Sequence, residues 1–266
     1  MAADLAVIVT ARNEADRLGA TLRALRTTFP KAELWVADDG SEDSTAHVAL
    51  QEGARLVQAP RQLGKGGAAT LAADALLREG DPIVVLADAD LGESARELRK
   101  LVDALGAADP VGARPAGDAL GAADRAGARP AGDAGTNADV VIAAFARRVG
   151  GGFGIAVAAS RWAIERAAGR TMQAPLSGQR ALRPGVLSQL LPFAAGFGIE
   201  TGMTIDALRA GLRVVEIELD LEHRATGKSV RGFLHRGRQA RDVLRAYAAR
   251  RRVRLVTIPA DPGRAP

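Results

Sequence analysis

The stretch IVVLADADLG, residues 83–92, runs four large apolar residues and then places Asp88 and Asp90 one residue apart. A short continuous Val/Ile/Leu run of this kind reads as a strand buried on both faces, the signature of a parallel sheet covered by helices. Two carboxylates at its end repel each other unless a cation sits between them. The stretch therefore predicts both a fold class and the edge of the sheet at which chemistry occurs.

Similar runs lie on either side of it. LAVIVTA (5–11), ELWVADDG (33–40) and ADVVIAAF (138–145) are nearly continuous in apolar character, and LRVVEIELDL (212–221) alternates. Between them Leu18, Leu22 and Leu25 fall at helical spacing, as do Leu71, Ala75 and Leu76. The alternation of strand and helix predicts one α/β domain, a mostly parallel sheet flanked by helices. With 266 residues, 47% of them hydrophobic, the chain can bury a substantial single core.

Composition removes several classes of function. Cysteine is absent, which excludes disulfide frameworks, thiolate metal sites and a cysteine nucleophile. No apolar run reaches the roughly 18 residues of a membrane span, and MAADLAVIVTARNE lacks the basic start and long apolar stretch of a signal peptide. The expectation is a cytoplasmic protein. The net charge of +5 is uneven: residues 222–254 carry eleven Lys/Arg against two acids, so the remainder is acidic.

One segment stands outside the pattern. GAADPVGARPAGDAL (106–120) recurs almost unchanged as GAADRAGARPAGDAG (121–135). Two copies rich in small residues, Pro and Gly cannot bury a core of their own, so this duplication is expected to be a flexible insertion. It precedes the strand 138–145, at the end opposite to the one where ligands bind in such sheets. The chain thus divides into a first half (1–105), the insertion (106–135), a second half of the same domain (136–221), and a basic loop with an amphipathic helix and frayed tail (222–266).

The polar residues that end each strand mark the ligand-binding rim. The first strand ends in TARNE with Ala11 and Glu14, the second in DDGS with Asp38, Asp39 and Ser41, the third in DAD, and the last in EHR with His223. Any one of these could be a turn or a helix cap, but their convergence points to a site. Asp88 and Asp90 offer hard oxygen ligands suited to Mg²⁺ or Mn²⁺, and His223 could complete the shell. Such an ion suits a diphosphate leaving group, hence a nucleotide-linked substrate. In QLGKGGAA, Gly64, Gly66 and Gly67 permit close backbone approach to a phosphate and Lys65 adds a charge, although the spacing is not that of a P-loop.

VIVTARNEADRLGATL, VADDGSEDST, LGKGGA, VVLADADL, LSGQRAL, GFGIETGMTIDALRAGLRVVEI and EHRATG together resemble, in order, the family 2 type of GT-A glycosyltransferase, whose fold is Rossmann-like. Within that group the chain is most similar to glucosyl-3-phosphoglycerate synthases, and more loosely to polyprenyl-phosphate sugar transferases. The resemblance implies that Ala11, Glu14, Asp38, Asp39 and Ser41 hold the nucleoside. It further implies that Lys65 and Asp88 lie near the donor and that Asp88, Asp90 and His223 surround a metal-bound diphosphate. Gly151, Ser177, Gly178, Gln179 and Arg224 fall in the acceptor-side segments. The implied activity is transfer of a hexosyl group from a nucleotide sugar, by default a UDP-sugar, to a phosphorylated small molecule or lipid phosphate.

The acceptor half departs from the synthases. Phe153 and Ile155 stand where that family has Arg and Thr, and Ala225 follows Arg224 where it has Asn. Apolar groups there leave a small phosphorylated carboxylate without hydrogen-bonding partners. In LSGQRAL, Gln179 occupies the place where many inverting relatives carry a catalytic carboxylate, so Glu200 becomes the nearest candidate catalytic or acceptor-orienting group. An acceptor that is already an anion needs no base.

Phe233, Ala240, Val243, Leu244 and Tyr247 predict an amphipathic C-terminal helix packed on the domain. Lys228, Arg231 and Arg236 in the preceding segment could reach an acceptor phosphate, or hold the enzyme peripherally at the inner face of an anionic membrane. A homodimer is compatible with the sequence. Nucleic acid is not the expected partner, because Phe233 and Tyr247 are too few to stack bases. Two alternatives compete with this reading: a sugar-phosphate nucleotidyltransferase, which should carry a glycine-rich turn after the first strand, where this chain has TARNEADRLG; and a non-catalytic nucleotide or nucleic-acid binder using the Arg-rich tail.

Overall fold

The computed structural model describes residues 4–106, 138–145, 154–221 and 230–251, with only the backbone described for 230–238 and residue 251. Among these residues seven strands form one sheet: β1 (Leu5–Ala11), β2 (Glu33–Asp38), β3 (Arg55–Gln58), β4 (Ile83–Asp88), β5 (Val140–Phe145), β6 (Arg180–Leu182) and β7 (Val214–Leu219), in the order β3-β2-β1-β4-β6-β5-β7. All pairings are parallel except those of β6, which runs antiparallel between β4 and β5. The expected mostly parallel α/β sheet, in one domain, is what the chain forms.

The helices α1 (Ala15–Thr28), α2 (Thr45–Gln51), α3 (Lys65–Leu77), α4 (Arg99–Leu105), α5 (Gly154–Ala168), α6 (Val186–Leu190), α7 (Ile199–Arg209) and α8 (Val230–Arg251) cover both faces. The alternating side chains of each strand feed two separate cores. Val7, Val9, Val36 and Val85 pack under α1, whose Leu18, Leu22 and Leu25 are fully buried. Ile8, Trp35, Val84 and Leu86 pack under α3, α5 and α7. Each fully buried aliphatic side chain contributes about 1.5–3 kcal/mol, so α1 is held to the sheet by its three leucines.

Helix α3 differs from its sequence reading. Its buried face is Gly66, Ala68, Ala69, Ala72, Ala73 and Leu76, whereas Leu71 and Ala75 are only half-buried. The reason is proximity: a Cβ on Gly66 would lie 1.8 Å from the Ala194 carbonyl oxygen, so the helix seats its small residues, not its large ones, against its neighbours. Two strands also went unread. β3 is a half-exposed edge strand with no apolar run, and β6 is three residues long with a buried arginine at its start.

Helix α8 packs as expected but on a shifted face. Val243, Ala246 and Tyr247 are buried, while Leu244 remains 47% exposed and Ala240 half-buried. The helix approaches a 3₁₀ turn, Gly196–Gly198, closely: a Cβ on Gly198 would lie 2.7 Å from the Asp242 carbonyl oxygen and 2.8 Å from Ala246 Cβ. Arg250 closes the contact with Asp206 through its Nε, 2.8 Å from both carboxylate oxygens.

Candidate active site

The rim at the C-terminal ends of β1, β2 and β4 is built from two linked loops. After β1, Asn13 adopts a positive φ of 53°, which its short polar side chain tolerates, and its N–H donates to Ser41 Oγ at 2.9 Å. Its Oδ1 accepts the Glu42 N–H at 2.8 Å, and the Glu14 N–H donates to Thr45 Oγ1 at 2.8 Å. Asp43 accepts from the Ala15 and Thr45 N–H groups at 3.2 and 2.9 Å. Slight burial raises the Asp43 carboxyl, but the bonds from Thr45 and Ala15 outweigh it and leave the group below its ordinary value. Asn13 and Asp43 were not singled out from sequence, and their Asx-type positions beside Glu14 and Ser41 were the signal that could have found them.

Asp38, at the end of β2, is fully buried. Its Oδ1 accepts from the Ser41 N–H at 3.1 Å and from the Ser41 hydroxyl, and its Oδ2 accepts from Gln58 at 3.0 Å. Asp39 Oδ1 accepts the N–H groups of Leu63 and Gly64 at 2.7 and 2.9 Å. The two acids thus shape the rim from beneath: Asp38 folds its own turn, and Asp39 pins the turn that starts α3. Gly64, with φ 81°, makes that turn possible.

Lys65 is the first residue of α3, a position where the helix dipole disfavours a cation. Two carboxylates hold it there. Its Nζ lies 2.6 Å from Asp88 Oδ1 and 2.7 Å from Glu200 Oε1, and the Glu200 side chain is only 8% exposed. Burial alone would lower the Lys65 ammonium, but the charges of Asp88 and Glu200 and their hydrogen bonds raise it well above the ordinary lysine value. For Asp88 burial acts upward, and the charge of Lys65 with bonds from Lys65, Gln179 and Thr10 takes the carboxyl below its ordinary range. The register places Thr10 opposite Asp88, and its hydroxyl donates to Asp88 Oδ1 at 3.3 Å.

The acceptor-side segment reaches the same carboxylate. Gln179 Nε2 donates to Asp88 Oδ2 at 2.8 Å, and Ser177 Oγ donates to Gln179 Oε1 at 3.2 Å. Gly178 allows the approach: a Cβ there would lie 2.7 Å from Lys65 Nζ and 2.9 Å from Asp88 Oδ2. Arg180, absent from the sequence-based candidates, is 1% exposed and donates to Ser177 O, Thr204 Oγ1 and Glu200 O at 3.0, 3.0 and 2.9 Å. Burial is the largest influence on its guanidinium and, only partly offset by Glu200 and Glu216, leaves it at about 10. An arginine inside a three-residue strand gives no local signal of this role.

Thr10, Lys65, Gly178, Arg180 and Glu200 line a small open pocket together with Leu86, Ala87 and Met203. Lys65, Asp88, Ser177, Gly178, Gln179 and Glu200 therefore meet at one place, and Asp39 joins them to Ala11, Glu14, Asp38 and Ser41, the Asp39 N–H donating to Ala11 O at 3.0 Å. Asp90 lies in the turn just beyond β4. Gly151, His223, Arg224 and Lys228 lie outside the described residues, as do Phe153, Ala225 and 107–135 of the duplication; of Arg231 and Arg236 only the backbone, within α8, is described.

Residues 6–129 match the family model described as Glycosyl transferase family 2. The fold matches a crystal structure of glucosyl-3-phosphoglycerate synthase from Mycobacterium tuberculosis in complex with phosphoglyceric acid, at 26% identity and TM-score 0.65, over 92% of this chain and 79% of that one. The chain resembles family 2 glycosyltransferases. The same synthase in complex with Mn²⁺, uridine diphosphate and phosphoglyceric acid aligns at 22% identity and TM-score 0.68, over 94% and 79% of the two chains. A structure described as a mycobacterial protein aligns at 26% identity and TM-score 0.68, over 93% and 74%. No curated protein sequence matches the chain.

Proposed function

We propose that the enzyme transfers a hexosyl group from a nucleotide sugar, a UDP-sugar in the first instance, to a phosphorylated acceptor, with a divalent metal at the donor diphosphate. The observation that carries this reading is the Asp88–Lys65–Glu200 bridge at the C-terminal edge of β4, where a donor-side carboxylate and an acceptor-side carboxylate share one ammonium. The similar synthase has been crystallised with uridine diphosphate and Mn²⁺, with phosphoglyceric acid, and with glycerol 3-phosphate, which supports both halves of the proposal.

The donor set fits a hard divalent ion. Asp88 and Asp90 bring hard carboxylate oxygens to one strand end, and His223, outside the described residues, is the candidate third donor. Asp88, Asp90 and His223 would hold Mg²⁺ or Mn²⁺. When bound, the ion supplies charge neutralisation at the diphosphate.

The chain's own groups account for the remaining steps. Asp39 fixes the turn from which Lys65 extends, and Lys65 brings a fixed positive charge to the side of the site where the sugar–phosphate bond breaks and its electron pair passes to the diphosphate. Gln179 and Thr10 orient Asp88. Where the attacking atom is an acceptor hydroxyl, Glu200 is the carboxylate placed to take its proton; where it is a phosphate oxygen, no proton moves and Glu200 orients the acceptor. Phe153, Ile155 and Ala225 replace the polar groups of the synthases, and Ile155 is 72% exposed, so we assign an acceptor other than 3-phosphoglycerate. The site operates in the cytoplasm in this reading.

Incubation with UDP-glucose, Mn²⁺ and a panel of phosphorylated acceptors, including polyprenyl phosphate, tests the reading by product. Acceptor-dependent release of UDP, lost at least 100-fold in Asp88→Asn, is expected. Release of pyrophosphate from sugar phosphate and UTP, or no turnover of any nucleotide sugar, would contradict it.

A further inference from the structure

Helices α5 and α8 carry an apolar surface that, apart from Ile155, the glycosyl-transfer reading does not use. On α5, Ile155, Ala158 and Trp162 are exposed at spacings of three and four and form one outward stripe. Ile155 is 72% and Trp162 50% exposed. The Trp162 ring meets the Tyr247 ring edge-on at 4.9 Å, which joins this stripe to α8, where Leu244, one turn before Tyr247, is 47% exposed. Large apolar groups continuous across two helices are unusual on a solvated surface and mark a contact.

The charge around the patch selects the partner. Between Val230 and Arg251 the sequence holds seven arginines and one acid, Asp242. Arg250 is bound to Asp206; Arg245 and Arg241, the latter with Nη2 3.4 Å from Asp242 Oδ1, are exposed near Leu244. A two-fold contact between copies of this chain would set two strongly cationic helices against each other. An anionic lipid surface complements the arginines and accepts the indole and aliphatic groups at its headgroup boundary.

We infer that the α5–α8 face, centred on Trp162 and Leu244 and flanked by Arg241 and Arg245, docks the enzyme on an anionic membrane. Asp242 turns the other way: its carboxylate accepts the Phe197 N–H at 3.3 Å, so the side of α8 opposite Leu244 is the one seated on the domain. The inference stands independently of the transferase reading, because it concerns the surface alone.

The test uses the full chain with Trp35→Phe, which leaves Trp162 as the one tryptophan reporter, since the sequence has two. Vesicles of phosphatidylcholine with 30% phosphatidylglycerol should shift Trp162 emission to the blue and carry the protein in flotation, and pure phosphatidylcholine should not. Arg241→Gln and Arg245→Gln should each weaken binding roughly fivefold. Leu244→Ser should weaken it by a similar factor, with the thermal melting curve unchanged. Equal binding to both vesicle types, or unshifted Trp162 emission on bound protein, would overturn the inference. So would concentration-dependent dimerisation that buries Trp162 without lipid, or competition by RNA at equal charge concentration with no lipid binding.

Discussion

Replacing Lys65 by Met removes the ammonium shared by Asp88 and Glu200 and leaves two carboxylates facing each other, one of them 8% exposed. Exposed ion pairs contribute about 0–1 kcal/mol, and breaking a buried pair by removing one partner costs about 3–5 kcal/mol. With Lys65 22% and Asp88 31% exposed, the site lies between these limits, so we expect a loss of about 2–3 kcal/mol at pH 7. At a urea m-value of about 3 kcal/mol/M the unfolding midpoint falls by about 1 M. The pH dependence has a definite sign. The Asp88 carboxyl is lowered on folding, so its contribution is present above the ordinary value of 3.8 and is lost as pH falls through the lowered folded value. The gap between wild type and Lys65→Met should accordingly be widest near pH 7 and shrink below about pH 4. Urea titrations at pH 7, 5 and 3.5 read both quantities. A variant within 0.5 kcal/mol of wild type at pH 7, as expected of exposed pairs, or a gap that widens in acid, would refute the reasoning.

Further outcomes follow from the same geometry. Gly66→Ala places a Cβ 1.8 Å from the Ala194 carbonyl oxygen, so overpacking should outweigh the roughly 1 kcal/mol gain in helix propensity and lower stability by about 2 kcal/mol in a denaturant titration. Gly178→Ala presses on the ends of Lys65 and Asp88 and not on backbone; kcat/KM should fall at least tenfold while the melting temperature moves little. Arg180→Met releases the Glu200 carbonyl and the Ser177 carbonyl together, and should lower kcat more than it raises KM, with Arg180→Lys intermediate. Activity within twofold of wild type would remove Arg180 from the site's support.

The elements legible in the sequence were those whose environment is uniform. β1, β2, β4 and β5 are covered on both faces, so their apolar runs are unbroken and their polar ends mark the rim. β3 and β6 escaped because an edge strand and a three-residue antiparallel strand carry no such run. The α3 stripe was misread for the opposite reason: close packing against Ala194 selects small residues, which a search for large apolar groups passes over. At the site, Asp88, Lys65, Gln179 and Glu200 stood at strand ends or glycine turns and could be found. Their meeting around one ammonium could not, since it depends on residues 135 positions apart. Thr10 and Arg180 serve the same cluster from inside strands, where an alcohol or a buried guanidinium looks like an ordinary core substitution.

The most direct measurement of the account's central claim is a thermal-shift panel of nucleotide sugars with and without Mn²⁺, on wild type and on Asp90→Ala. A ligand at 100 times its Kd adds about 2.7 kcal/mol, which for a chain of this size raises Tm by roughly 5–8 °C. The account predicts that a UDP-sugar gives this shift only with Mn²⁺ and that Asp90→Ala abolishes it. An undiminished, metal-independent shift in Asp90→Ala, or no shift with any nucleotide sugar, would contradict it.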